Sequence, residues 1–128
     1  MILWDTNSII FFLQDLLPSS SRDFLLGELG NKTPKISVIT EIELLSWQKI
    51  SPEQSKTISL FLSNFGKVDL NEEIKEITIN IRKSTGLKIP DAIIAASALA
   101  LDLPLLTNNL KDFQKVDFLK ILDPMNLV

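Results

Sequence analysis

The sequence predicts an α/β fold, a three-layer α/β/α sandwich around a small, mostly parallel sheet. Three observations predict it. Short, wholly apolar runs such as Ile2-Leu3-Trp4 and Pro104-Leu105-Leu106-Thr107 read as buried strands, and they recur far apart in the chain. Between them lie longer segments with the apolar spacing of helices, and Gly, Pro and Asn punctuate the junctions. The 128 residues, 45% of them apolar, suffice for one domain spanning residues 1–128, and neither a linker nor an internal repeat divides them.

In chain order, Ile2-Leu3-Trp4 is the first strand and stops at Asp5; Thr6 to Leu17 follows as a helix. Pro18 to Arg22 reads as one Ser-rich loop, and Asp23 to Leu29 as a second helix that Gly30-Asn31 ends with a left-handed cap. Lys35 to Val38 is strand-like. Thr40 is placed to cap a third helix reaching Trp47, and Ser51-Pro52 opens a fourth that runs toward Phe65. Gly66 ends it, and Lys67 to Leu70 is a brief extended segment. Asn71 caps a helix over Glu72 to Thr85, which Gly86 stops. The segment from Ile89 to Leu101 has Pro90 in its first turn, is Ala-rich and is apolar nearly all round, so it must be buried. Asn108 to Phe113 is a polar turn, and Phe118 to Leu122 a last strand.

Composition narrows the chemistry. With 13 Lys plus Arg against 16 Asp plus Glu, the formal charge is -3, which leaves no global positive field to coat nucleic acid. The chain has no Cys and no His, which excludes disulfides, zinc fingers, thiolate nucleophiles and imidazole bases. Carboxylates, hydroxyls and Lys remain. No apolar run approaches the ~20 residues a bilayer span needs, and no signal-like start is present, so a cytoplasmic protein without membrane contact is expected.

In a doubly covered parallel sheet the ligand site lies beyond the carboxyl ends of the strands. Asp5 and Thr107 are expected at such ends, with Asn108 and Asn109 just behind. Glu43 follows the second strand by about a turn, and Asp91 falls in the first turn of the buried helix. Asp5, Glu43, Asp91 and Asp112 thus converge from four segments.

Four segments together resemble a PIN domain of the bacterial VapC-like toxin class: Asp5-Thr6-Asn7, Thr40 to Leu45, Ile89-Pro90-Asp91-Ala92-Ile93-Ile94-Ala95-Ala96, and Leu105 to Phe113. The resemblance runs through the whole chain in order, and its third and fourth segments are the most specific. It implies a metal-dependent endoribonuclease that hydrolyses RNA phosphodiesters, with a carboxylate quartet, a homodimer and, often, a small antitoxin protein as partner. Phosphodiester hydrolysis near neutral pH is served by hard oxygen ligands around Mg²⁺ or Mn²⁺, without any His. On this reading Asp5, Glu43, Asp91 and Asp112 are the catalytic, metal-ligating residues, and Asn7, Thr107 and Asn109 support them by hydrogen bonds. Lys88 and Lys111 are the expected phosphate contacts.

Each assignment competes with a plainer one. Asp5 reads equally as a helix cap, Glu43 as the partner of Thr40 in a capping box, Asp91 as a helix-dipole complement and Asp112 as a solvated charge. Many members of the class carry an acid where Asn109 stands, so this chain has one charge fewer; Glu41 is the reserve for Glu43. A haloacid-dehalogenase-type phosphatase needs a second acid at the position of Asn7, and a receiver domain needs an acidic pair and a late Lys that are missing. The alternative left standing is a catalytically weak or inactive PIN-like interaction module. Dimerisation is expected from the apolar helices over 24 to 29 and 42 to 62.

Overall fold

The computed structural model describes residues 1 to 127. Five short strands, β1 (Leu3–Trp4), β2 (Lys35–Ser37), β3 (Gly66–Val68), β4 (Leu105–Leu106) and β5 (Ile121–Leu122), form one sheet in the order β3-β2-β1-β4-β5. Every pairing is parallel, with Leu3 opposite both Lys35 and Leu105. Seven helices accompany them: α1 (Thr6–Leu13), α2 (Ser19–Asn31), α3 (Val38–Leu45), α4 (Pro52–Leu62), α5 (Glu72–Thr85), α6 (Ile89–Leu101) and α7 (Leu110–Phe113).

The period-two alternation of strand side chains creates the three layers. Leu3 and Leu105 belong to the core shared with α5 and α6, whereas Trp4 and Leu106 belong to the core shared with α1, α2 and α4. On the first side α6 is buried from Ala92 to Ala98, and its small side chains let the sheet and α5 approach closely. On the second side the indole of Trp4 meets Phe12, Phe61 and Phe65 edge-on, with ring centroids 5.6, 6.4 and 5.1 Å away.

Several boundaries differ from the sequence reading, each for a local reason. Helix α1 stops at Leu13 rather than Leu17, because Asp15 turns left-handed (φ 57°) and the Leu16 N–H closes on the Phe11 carbonyl at 2.9 Å. The Ser cluster is not a loop: Pro18 cannot extend α1, but its carbonyl receives the Arg22 N–H at 2.9 Å and so opens α2 at Ser19. Gly30-Asn31 makes no left-handed cap, since α2 continues through Asn31, whose amide donates to the Gly27 carbonyl at 2.9 Å. Gly86, by contrast, does take the left-handed conformation at φ 73°.

The topology positions a site. The chain steps from β1 outward to β2 and β3, then crosses to the other side of β1 for β4 and β5. Connections leaving β1 and β4 therefore diverge, opening a crevice beyond their carboxyl ends. Asp5 and Thr107 are the residues immediately past those ends.

Candidate functional site: an acidic crevice

Asp5 is 5% exposed and begins α1 as its N-cap, with Oδ1 accepting the Ser8 N–H at 2.8 Å. Its backbone N–H is held by the Leu106 carbonyl at 3.0 Å, and the same carbonyl accepts from the Ser8 hydroxyl at 2.9 Å. The cap reading of Asp5 and its place in the crevice are thus both correct. Burial raises its pKa above the ordinary carboxylate value. Hydrogen bonds from Thr107 and from the Ser8 side chain and backbone oppose that rise, and the Glu43 charge adds to it.

Glu43 reaches the crevice from α3. The cap of α3 is Ser37, whose hydroxyl accepts the Ile39 N–H at 3.1 Å, and not Thr40, which lies inside the helix. The capping-box reading of Thr40 and Glu43 therefore falls. One helical turn apart, these two residues share a face and both meet Thr6: the Thr6 hydroxyl lies 2.7 Å from Glu43 Oε1 and 3.0 Å from the Thr40 hydroxyl. Glu41, two residues from Glu43, diverges onto another face and pairs with Lys67 on β3. Of the two acids it is Glu43 that meets Thr6 and whose charge reaches Asp5 and Asp91.

Asp91 is the third residue of α6, whose amino end lies at the same edge of the sheet. Its pKa is raised, first by burial and then by the charges of Glu43, Asp112 and Asp5, while Lys88 just before the helix opposes the rise. Asp112 stands on α7, the short helix found where the sequence suggests a polar turn. Asn109 caps that helix, accepting the Asp112 N–H at 3.4 Å and donating Nδ2 to Asp112 Oδ2 at 3.1 Å. Lys115 lies 3.9 Å from Asp112. Thr107, fully buried, accepts the Asn109 N–H at 3.0 Å while its hydroxyl serves Asp5.

The charges of Glu43, Asp112 and Asp5 thus all reach Asp91, and that of Glu43 also reaches Asp5. The four acids are not yet gathered to direct-coordination spacing: among the described residues no three acidic side chains form a group that encloses an ion outright. Thr107 and Asn109 hydrogen-bond to Asp5 and Asp112 respectively. Asn7 is exposed, and no hydrogen bond among the described residues links it to the acids. Lys88 adjoins Asp91, whereas Lys111 lies on the exposed face of α7. The sequence assigns none of Thr6, Thr40 and Ser8 to the site, Thr40 standing there only as a helix cap. Their only signal was adjacency, Thr6 to Asp5 and Thr40 one turn before Glu43.

A groove of about 580 Å³ between α1, α3 and α4 opens beside the crevice. Ile10, Leu13, Leu44, Trp47 and Ile58 make it apolar, and Thr6 and Glu43 line both groove and crevice.

The PIN domain family model matches residues 2–119, almost the whole chain. The chain belongs to the PIN domain family. No curated protein matches it. Among solved structures, VapBC-1 from nontypeable Haemophilus influenzae is 30% identical over 98% of this chain and 100% of that one, with a TM-score of 0.82. A toxin–antitoxin complex from Klebsiella pneumoniae is 29% identical over 99% and 100%, with a TM-score of 0.79. DNA-bound VapBC from Salmonella typhimurium is 25% identical over 97% and 99%, with a TM-score of 0.83. The PIN fold of these structures is the one found here.

Proposed function

We propose that this PIN domain is a metal-dependent endoribonuclease, the toxin of a type II toxin–antitoxin pair, with Asp5, Glu43, Asp91 and Asp112 as its catalytic carboxylates. One observation carries the reading: acids from four separate segments meet in one crevice, where burial and the charges of Glu43, Asp112 and Asp5 raise the pKa of half-buried Asp91, and burial with the Glu43 charge raises that of buried Asp5. A fold tolerates such crowding at a cost that structure alone does not repay, so perturbed acids in a crevice mark a working site. The donor set is all hard oxygen, which fits Mg²⁺ or Mn²⁺ and suits no softer ion. When bound, such an ion supplies water activation near neutral pH and neutralises charge on the phosphate.

The chain's own residues do the rest. Hydrogen bonds from Thr107 and Ser8 favour the ionised form of Asp5 against its burial and orient its carboxylate. Asn109 fixes Asp112 from two sides, and Lys88 at the crevice edge is placed to receive a substrate phosphate, with Lys111 further out on α7. The toxin assignment draws on the relatives, which are solved as VapBC and toxin–antitoxin complexes. It draws also on the apolar groove, which offers a protein partner a seat ending at Glu43. A homodimer through the exposed apolar side chains Phe24, Leu26, Ile42, Trp47 and Leu60, and a cytoplasmic site of action, complete the reading. No helix among the described residues is long and apolar enough to cross a membrane.

The test is cleavage of single-stranded RNA by purified protein. Activity with Mg²⁺ or Mn²⁺, lost in EDTA and in Asp5→Asn and Asp91→Asn, is expected. Metal-independent cleavage that survives both substitutions refutes the carboxylate site. Metal binding without cleavage supports the interaction-module alternative, which the open spacing of the acids and the amide at Asn109 favour.

A further inference from the structure

We propose that Thr6 is a positioning residue for Glu43: a one-directional hydroxyl chain from Thr40 through Thr6 holds the Glu43 carboxylate in the acidic crevice. The inference rests on the metal-site reading above and gives a role to Thr6, a residue to which the sequence assigned none.

The starting problem is Glu43 itself. It is an exposed residue on α3 with a long, rotatable side chain, and the charges nearest to it, Asp5 and Asp91, repel it. With nothing to hold it, side-chain entropy and Coulomb repulsion both direct it into solvent. The structure instead holds Oε1 at 2.7 Å from the Thr6 hydroxyl, short enough for a charge-assisted hydrogen bond.

The direction of the chain follows from proton counting. An ionised carboxylate only accepts, so the single Thr6 proton goes to Glu43. Thr6 therefore accepts from the Thr40 hydroxyl at 3.0 Å, and Thr40, fully buried, supplies the proton. The Thr6 hydroxyl has no competing duty as a helix cap, because Asp5 caps α1. Glu41 cannot take over, being engaged with Lys67. Thr6 follows Asp5 directly, so the same bond ties the start of α1 to α3 and thereby sets one acid relative to another.

The experiment is calorimetric titration of Mn²⁺ into the full chain as wild type, Thr6→Val, Thr6→Ser, Glu43→Gln and the Thr6→Val/Glu43→Gln double variant, with melting in EDTA alongside. Val keeps the branched shape and removes the hydroxyl; Ser keeps the hydroxyl. Thr6→Val is expected to weaken Mn²⁺ by ~10-fold or more, the usual effect of losing a hydrogen bond to a metal ligand. Thr6→Ser is expected to restore wild-type affinity, EDTA-treated Thr6→Val to melt with wild type, and Thr6→Val to change nothing further once Glu43 is Gln. Should Thr6→Val not fold, Thr40→Val carries the same expectation, since it removes the upstream donor. Unchanged affinity in Thr6→Val, a Ser variant as weak as Val, or an undiminished loss in the Glu43→Gln background overturns the positioning role while leaving the metal site standing. A wild-type chain that takes up no Mn²⁺ overturns both.

Discussion

Replacing Asp91 by Asn separates the two roles its position allows. Asp91 is the third residue of α6, where a negative charge favours the helix by ~0.3–1 kcal/mol. Against that stand Glu43, Asp112 and Asp5, whose charges together with burial raise its pKa, with Lys88 in partial opposition. Asn keeps the shape and removes the repulsion, so the EDTA-treated variant should melt at or above the wild-type temperature. A divalent ion that binds only the folded state adds RT ln(1 + [L]/Kd), about 2.7 kcal/mol at a hundredfold excess over Kd. For a domain of this size that is roughly 10 °C of melting temperature. Asp91→Asn should erase most of this gain. The pH dependence has a definite sign. Because the folded pKa lies above the unfolded one, the folded apo chain holds the Asp91 proton more tightly than the unfolded chain does. The associated stability is therefore fully present below the ordinary Asp value and is lost as pH rises through the raised one. The advantage of Asp91→Asn in EDTA should accordingly be largest near neutrality and vanish on acidification. Thermal melts of both proteins with EDTA and with Mn²⁺ across pH read all of this. A helix-dipole role alone predicts destabilisation of up to ~1 kcal/mol with or without metal. That result, or a wild type whose melting ignores Mn²⁺, refutes the reasoning.

Thr107→Val should cost ~1–3 kcal/mol in denaturant unfolding, because it strands the half-buried Asn109 N–H and strips a donor from buried Asp5; an unchanged midpoint would deny Thr107 that double duty. It should also move the acid limb of the RNA-cleavage pH profile to higher pH, since the Thr107 hydroxyl holds the Asp5 pKa down. Phe118 has φ 67° and is 94% exposed, so its side chain gives up strain without packing in return. Phe118→Asn should stabilise the fold by ~0.5–1 kcal/mol in chemical denaturation, Asn being the better left-handed residue. Sedimentation at micromolar concentration should give twice the 14.4 kDa chain mass, and a species of the single-chain mass would contradict the dimer.

Why was so much of this legible? Buried strands and the α6 helix leave few alternatives, because an apolar run can only face a core. The apolar runs at Ile2 to Trp4, Leu105-Leu106 and Ala92 to Ala98 therefore mark β1, β4 and α6, with the first strand itself confined to Leu3–Trp4. The caps that failed were those with two eligible residues close together. Ser37 and Thr40 both can cap α3, and the choice fell to Ser37 because β2 ends there, a fact of sheet register and not of local propensity. The end of α1 hinges on Asp15 taking a left-handed turn, which no apolar spacing records. For the site, acids are visible because a carboxylate at a strand end or in an apolar helix is unusual. Thr6 and Thr40 are not, since Thr is ordinary at helix starts and its importance lies in contacts spanning 34 and 37 positions.

Asp5 illustrates why cap and site readings need not exclude each other. A helix N-terminus supplies N–H donors that stabilise an ionised carboxylate in a place otherwise too dry for one. The Ser8 N–H does so at one oxygen, and the Thr107 hydroxyl adds a second donor from the neighbouring strand end. Burial still prevails, so the pKa remains raised and the charge stays only partly compensated. The cap is thus the means of keeping a charge buried, and under the proposed function the uncompensated part of that charge is what a divalent ion would neutralise.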